Sequence, residues 1–179
     1  MRVITGTARG RKLLEPVNMD IRPTTDQVKE AMFNILQFDL EGRRVLDLFA
    51  GTGQLGIECL SRGAREVVFI DQNRDAVKLI RENLKSCGFS APVLQQDAIS
   101  YLNGCGSFDL ILVDPPYDAG LYDLVLERIN YIDILSEGGI ILCESRRETV
   151  MPELRAPYRK RKEYRYGKVK LSLYSKESR

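Results

Sequence analysis

Five short apolar runs, residues 44–48, 66–70, 92–95, 108–113 and 140–143, alternate with stretches whose apolar residues recur at helical spacing. Short runs separated in this way predict strands that pair in parallel, with helices packed on both faces of one sheet. The helical stretches are a glycine-led one reaching about Arg62, one marked by Ala76, Val77, Ile80 and Leu84, a short one over residues 97–102, and one from Leu121 to about Tyr131. Ahead of them, "RPTTDQVKEAMFNIL" reads as a helix. Val28, Ala31, Met32, Ile35 and Leu36 share a face, Pro23 precedes it, and Thr24 and Gln27 are spaced as a capping box. The alternation breaks at the end: residues 158–166 and 169–175 read as two strands joined by a tight turn at Gly167, hence antiparallel neighbours. No repeat, low-complexity segment or long linker divides the 179 residues, so one domain is expected.

The chain contains no histidine, which removes Ser-His-Asp and Cys-His catalysis, imidazole metal sites and HExxH zinc sites together. Carboxylates or a cofactor must carry any chemistry. Cys59, Cys87, Cys105 and Cys143 are widely spaced with no CxxC, and buried free thiols are expected of them. The basic, glycine-broken start and the lack of any long apolar run predict a cytoplasmic protein. Charge is uneven although the net is only +2: residues 1–12 carry +4, residues 155–170 carry +7, and residues 13–154 carry −10. Two basic ends on an acidic body suit a polyanion footprint; a solvated charged surface has the same composition.

"DLFAGTGQLG" follows the first strand and opens a helix, with Gly51, Gly53 and Gly56 in G-x-G-x-x-G spacing. Glycines there permit a tight turn and close approach of backbone to a ligand. Asp71 ends the next strand about twenty residues on, where a carboxylate can accept both hydroxyls of an adenosine ribose. Thus far a nicotinamide dinucleotide and S-adenosylmethionine fit equally. Asp47, four residues before the first glycine, is expected to project into the mouth of the turn, where it would repel a pyrophosphate and suit the amino and sulfonium groups of S-adenosylmethionine. Asp97 follows the third strand, placed for an adenine amino group. Asp47, Asp71, Asp97 and Asp114 then share the carboxyl rim of the sheet, and four acids there favour a cationic cofactor.

"DPPY", residues 114–117, ends the fourth strand, because two prolines cannot continue its ladder. An exocyclic purine amine is a poor nucleophile while its lone pair is delocalised into the ring. The Asp114 carboxylate and the Pro115 carbonyl can hold the amine's hydrogens and favour the pyramidal geometry, with Pro115 and Pro116 fixing both acceptors. The Tyr117 ring can stack on the base. A strand-ending cap would use the same residues.

The chain resembles the RsmD family of bacterial small-subunit ribosomal RNA guanine-N2 methyltransferases, which have the class I S-adenosylmethionine-dependent fold. The resemblance is carried by "RVITGTARGRKL", "RPTTDQVKEAMFNIL", "LDLFAGTGQLGIECLSRGA", "VDPPY" with "LYDLVLE", and "YGKVKLSLY". It implies a Rossmann-like, seven-stranded, mostly parallel sheet ending in an antiparallel hairpin. Residues 1–40 would form a basic β-hairpin and helix extension, and residues 41–179 the catalytic core. The cofactor implied is S-adenosyl-L-methionine, with adenosine contacts at Asp71 and Asp97, methionine-end contacts around Asp47, Gly51 and Gly53, and further cofactor contacts at Phe49, Ala50, Gln72 and Ala98. Thr24, with Arg22, Thr25 and Asp26, either closes over the methionine carboxylate or caps the helix. The target base is implied at Asp114, Pro115, Pro116 and Tyr117. RNA contacts are expected at Arg2, Arg9, Arg11, Lys12, Arg22 and Lys168. The implied partner is 16S rRNA or a small-subunit assembly particle; no metal or membrane is expected, and the chain is expected to act as a monomer. Asp71 stands where the family pattern more often has glutamate, and Gln54 where a small residue is common.

A DNA adenine-N6 methyltransferase would share the glycine loop and DPPY, but only sixteen residues separate Asp97 from Asp114, too few for an inserted recognition segment. A nicotinamide-dependent oxidoreductase would use the glycines and Asp71, give DPPY no role and not end in a hairpin. A non-catalytic RNA-binding module explains the basic ends and not the acidic rim. Pyrimidine C5 methylation needs a nucleophilic cysteine, whereas Cys143, in an apolar run, reads as a buried strand residue.

Overall fold

A computed structural model describes residues 1–16 and 25–177. The expected Thr24 cap, Pro23 and Arg22 lie outside the described residues. The first helix, α1, spans Asp26–Ile35, and its N-cap is Thr25, whose Oγ1 accepts from the Val28 N–H at 3.3 Å. The capping threonine is thus one residue later than the capping-box spacing suggests.

The alternation then follows as β1 (Arg44–Asp47), α2 (Gln54–Ser61), β2 (Glu66–Asp71), α3 (Arg74–Cys87), β3 (Val93–Gln95), α4 (Ala98–Leu102), β4 (Phe108–Val113), α5 (Tyr122–Ile132), β5 (Leu135–Arg146), β6 (Tyr158–Tyr166) and β7 (Val169–Lys176). One seven-stranded sheet runs β3-β2-β1-β4-β5-β7-β6. Its first five strands pair in parallel, and β7 is antiparallel to both β5 and β6. Alternate strand residues face opposite layers, as the pleat requires. Val45, Val67, Phe69, Leu110 and Leu112 pack under α1, α2 and α3, whereas Leu46, Val68, Ile70, Ile111 and Val113 pack under α4 and α5. Gly56 lets α2 lie close on the sheet, since a Cβ there would come within 2.3 Å of the Phe69 ring.

Three features depart from the sequence-based expectation. Strand β5 begins at Leu135, five residues before the apolar run at 140; the Glu137-Gly138-Gly139 turn is a bulge inside it, because Phe108 pairs with Leu135 but Leu110 with Ile140. A second bulge, at Arg161, shifts the register of β6, so that Tyr158 faces the α4–α5 layer while Tyr164 and Tyr166 face the other one. Among the cysteines, all free, Cys59 and Cys143 are buried as expected, but Cys87 and Cys105 are only partly so.

The basic N-terminal segment is strapped along α2 as a small hairpin, with an antiparallel bridge between Arg2 and Lys12. Buried Glu58 accepts from the Ile4 and Thr5 N–H groups at 2.8 and 2.9 Å, Ser61 Oγ accepts from the Ala8 N–H at 2.9 Å, and the Lys29 ammonium donates to the Arg2 carbonyl at 2.6 Å. Burial lowers the Lys29 pKa, against the opposing pull of the Glu58 carboxylate. Among the described residues, no helix is long and apolar enough to cross a membrane.

Candidate active site at the carboxyl rim of the sheet

The loop between β1 and α2 turns on two glycines in the left-handed region, Gly51 (φ 55°) and Gly53 (φ 78°), and closes through the Gly53 N–H to the Ala50 carbonyl at 2.7 Å. The Ala50 N–H donates to the Ile70 carbonyl at 3.0 Å, so the loop stays stitched to β2. Asp71, half-buried at the end of β2, is held from both sides: Oδ2 accepts from the Gly51 N–H at 2.9 Å and Oδ1 from the Asn73 N–H at 2.8 Å. Each oxygen retains a further lone pair for a ligand hydroxyl. The Asn73 side chain caps α3, accepting from the Asp75 and Ala76 N–H groups.

Asp47 does not project into the mouth of the loop. It is 2% exposed, and its Oδ2 accepts from the Gly56 N–H at 2.9 Å, beneath the first turn of α2. Burial pushes its pKa up to about 7; the Gly56 bond opposes this and the Asp71 carboxylate adds to it. The open rim therefore carries Asp71, Asp97 and Asp114, with Asp47 one layer below. Asp97 is exposed, and its Oδ1 caps α4 by accepting from the Ser100 N–H at 2.9 Å; buried Ala98 opens that helix. Exposed Gln72 accepts at its carbonyl from Gln95 Nε2 at 3.3 Å, tying β2 to β3. Phe49 is half-buried against the α4–α5 layer. The loop from residue 47 to 56 contains no lysine or arginine to meet a pyrophosphate. The acceptor lone pairs left on Asp71 fit the adenosine hydroxyls of S-adenosylmethionine, and a loop without basic side chains suits its cationic methionine end.

On the neighbouring strand β4, Asp114 is half-buried, Pro115 buried and Pro116 exposed. Tyr117 opens a short 3-10 turn, Tyr117–Ala119, secured by the Ala119 N–H to the Pro116 carbonyl at 3.1 Å. Three residues missed by sequence reasoning, Glu144, Tyr122 and Arg146, complete this corner. The Tyr117 hydroxyl donates to Glu144 Oε1 at 2.8 Å, the Tyr122 hydroxyl donates to the Glu144 backbone carbonyl at 2.7 Å, and the Arg146 guanidinium stands 5.6 Å from the Tyr117 ring centroid. Glu144 is 4% exposed. Its signal was available: an acid that ends an apolar run, as Asp47, Asp71 and Asp114 do. Burial, with the Asp114 carboxylate nearby, holds the Cys143 thiol and the Tyr122 hydroxyl protonated. Cys143 is thereby unsuited to act as a nucleophile.

The basic residues separate by position. Lys168, exposed in the β6–β7 turn, lies at the carboxyl rim, since Arg146 pairs with Val169. Arg2, Arg11 and Lys12 are exposed along the hairpin. Arg9 sits in the hairpin turn beside Ser61, at the end of α2 remote from the rim. No group of side chains suited to a metal ion occurs among the described residues.

Residues 1–175 match the family model described as "Conserved hypothetical protein 95". The chain belongs to the RsmD family. It is 37% identical over 182 residues to "Putative rRNA methyltransferase YlbH" of Bacillus subtilis, covering 98% of this chain and 99% of that protein. Ribosomal RNA small subunit methyltransferase D of Escherichia coli K12 is 34% identical over 180 residues, covering 99% and 91%. Among solved structures, "Putative methyltransferase yhhF" from Escherichia coli superposes with a TM-score of 0.89 at 34% identity, covering 100% of this chain and 99% of that one. RsmD-family membership accords with the terminal antiparallel hairpin and with DPPY at the rim.

Proposed function

We propose that this chain transfers a methyl group from S-adenosyl-L-methionine to the exocyclic N2 of a guanine in 16S rRNA, acting in the cytoplasm on the RNA or on a small-subunit assembly particle. The observation that carries this reading is the adjacency of β1 and β4: the glycine loop with Asp71, and Asp114 with Tyr117, open on the same stretch of rim.

When bound, the cofactor supplies an electrophilic methyl group on a sulfonium. Asp71, already fixed by two backbone donors, accepts from the ribose hydroxyls, and Asp97 stands on the adenine side. The Asp114 carboxylate and the Pro115 carbonyl receive the hydrogens of the guanine amine, turning its lone pair toward the donor and stabilising the positive charge that grows on nitrogen. Once methylated, that nitrogen is strongly acidic and loses its proton without a strong base, as the absence of histidine requires. Tyr117 offers its ring to the base, oriented by Glu144.

The DNA adenine reading gains no support, because residues 98–113 form only α4, a turn and β4. Mass spectrometry of small-subunit rRNA from a deletion strain tests the proposal. Loss of one N2-methylguanine, restored by the parent gene and not by Asp114→Ala, is expected; an unchanged modification pattern would overturn it.

A further inference from the structure

We infer that the groove between α1 and the edge strand β6 is a second nucleotide subsite, which takes an unpaired RNA base flanking the methylation target. This rests on the rRNA methyltransferase reading above.

The groove, of about 540 Å³, is lined by Tyr164 and Tyr166 on one side and by Gln27, Glu30 and Asn34 on the other. The bulge at Arg161 creates it. Without that extra residue, Tyr164 and Tyr166 would keep the parity of Tyr158 and face the α4–α5 layer; with it they face α1 as a two-ring platform, half-buried against the core. Gln27, Glu30 and Asn34 are exposed along one face of α1 at the spacing of successive helical turns. Two amides and a carboxylate opposite two aromatic rings can read the edge of a flat ring stacked between them. Glu30 makes the groove unsuitable for a phosphate and suitable for a base edge rich in donors. Guanine meets this best, because its N1–H and 2-amino group point the same way and a carboxylate can accept from both.

Charge and position identify the partner as nucleic acid. Of the basic residues on β6, Arg159 and Arg161 pair with Glu177 and Lys160 with Glu153, whereas exposed Lys162 and Arg165 flank the two rings in sequence, the Lys162 ammonium lying over the Tyr164 ring 4.7 Å from its centroid. With one face of Tyr164 met by Lys162, Tyr166 is the ring offered to a base, and an aromatic ring with a cation beside it is an arrangement that binds single strands. Tyr166 pairs with Val169, and Val169 with Arg146, so the groove opens at the catalytic rim. Its mouth lies three strand spacings from β4, about 14 Å, within reach of a nucleotide near the target.

The test uses the full chain and a single-stranded oligoribonucleotide bearing 2-aminopurine, which shares the 2-amino group of guanine and loses fluorescence on stacking. The parent should quench the probe. Tyr166→Leu, which keeps apolar bulk, should bind about ten-fold more weakly, Tyr166→Phe should bind as the parent does, and Asp114→Ala should still quench. Binding of S-adenosylhomocysteine, the demethylated cofactor product, and thermal unfolding should not change in Tyr166→Leu. Equal quenching by the parent and Tyr166→Leu would overturn the subsite, as would self-association of the chain through this face. Loss of the functional reading would instead show as rRNA left unmethylated by the parent.

Discussion

The Tyr117 hydroxyl is tied at 2.8 Å to a carboxylate on the next strand, Glu144, so the ring at the end of DPPY is oriented by a side chain 27 residues away. Removing the tether while keeping the ring tests whether that orientation matters. Tyr117→Phe and Glu144→Ala should each lower the single-turnover methylation rate about ten-fold, the worth of one hydrogen bond to a charged group. Glu144→Gln keeps an acceptor and should stay near the parental rate. KM for RNA should move less than kcat. Parental rates in Tyr117→Phe would show that packing alone holds the ring.

Asp71→Ala removes the acceptors assigned to the ribose hydroxyls. Calorimetry should find S-adenosylhomocysteine bound roughly ten- to a hundred-fold more weakly, with RNA affinity in the absence of cofactor unchanged. Normal cofactor binding would remove Asp71 from the adenosine site.

Asp114→Asn keeps the shape and one acceptor, whereas Asp114→Ala loses both the acceptor and the charge. A graded loss is expected, with the alanine variant raising the barrier by roughly 3–4 kcal/mol and both variants retaining S-adenosylhomocysteine binding. Methyl transfer by Asp114→Ala at close to the parental rate would return Asp114 to the role of a strand-ending cap.

Asp47 makes stability depend on pH in a definite direction. Its folded-state pKa, about 7, exceeds the ordinary 3.8 because the site is buried, so the folded protein holds this proton more tightly than the unfolded chain. This group therefore lowers stability progressively as pH rises from about 4 to 7, and its full penalty persists above that. Asp47→Asn preserves an acceptor for the Gly56 N–H and cannot ionise. Its melting temperature should fall less than the parent's between pH 4.5 and 8, with a gain at pH 8 of at most a few kcal/mol. Parallel melting profiles would show that Asp47 does not carry this dependence.

The parallel core was legible because each strand is a short apolar run bounded by a glycine turn or a helix cap, signals local to the chain. The rim positions of Asp71 and DPPY were legible for the same reason: each ends such a run. The Leu135 start of β5 and the Arg161 bulge were not, since an extra residue in a strand is defined by its partner's register and leaves no periodic mark. The direction of the Asp47 carboxylate was likewise decided by a contact nine residues on, the Gly56 N–H that the helix start turns toward it. The hairpin's grip on α2 depends on Lys29 and Glu58, which as isolated letters read like ordinary surface charges.

The sheet also has an unpaired margin. Strand β3 closes one side with only three residues, but β6 is nine residues long and, among the described residues, has no strand beyond it. Such a border invites another chain to add itself in register, the first step toward aggregation, and closely spaced cations with a break in the pleat are what discourage it. Arg159, Lys160, Arg161, Lys162 and Arg165 supply the cations, and the irregularity between Lys160 and Lys162 supplies the break. Neutralising these positions together would lower colloidal solubility as well as affinity for RNA.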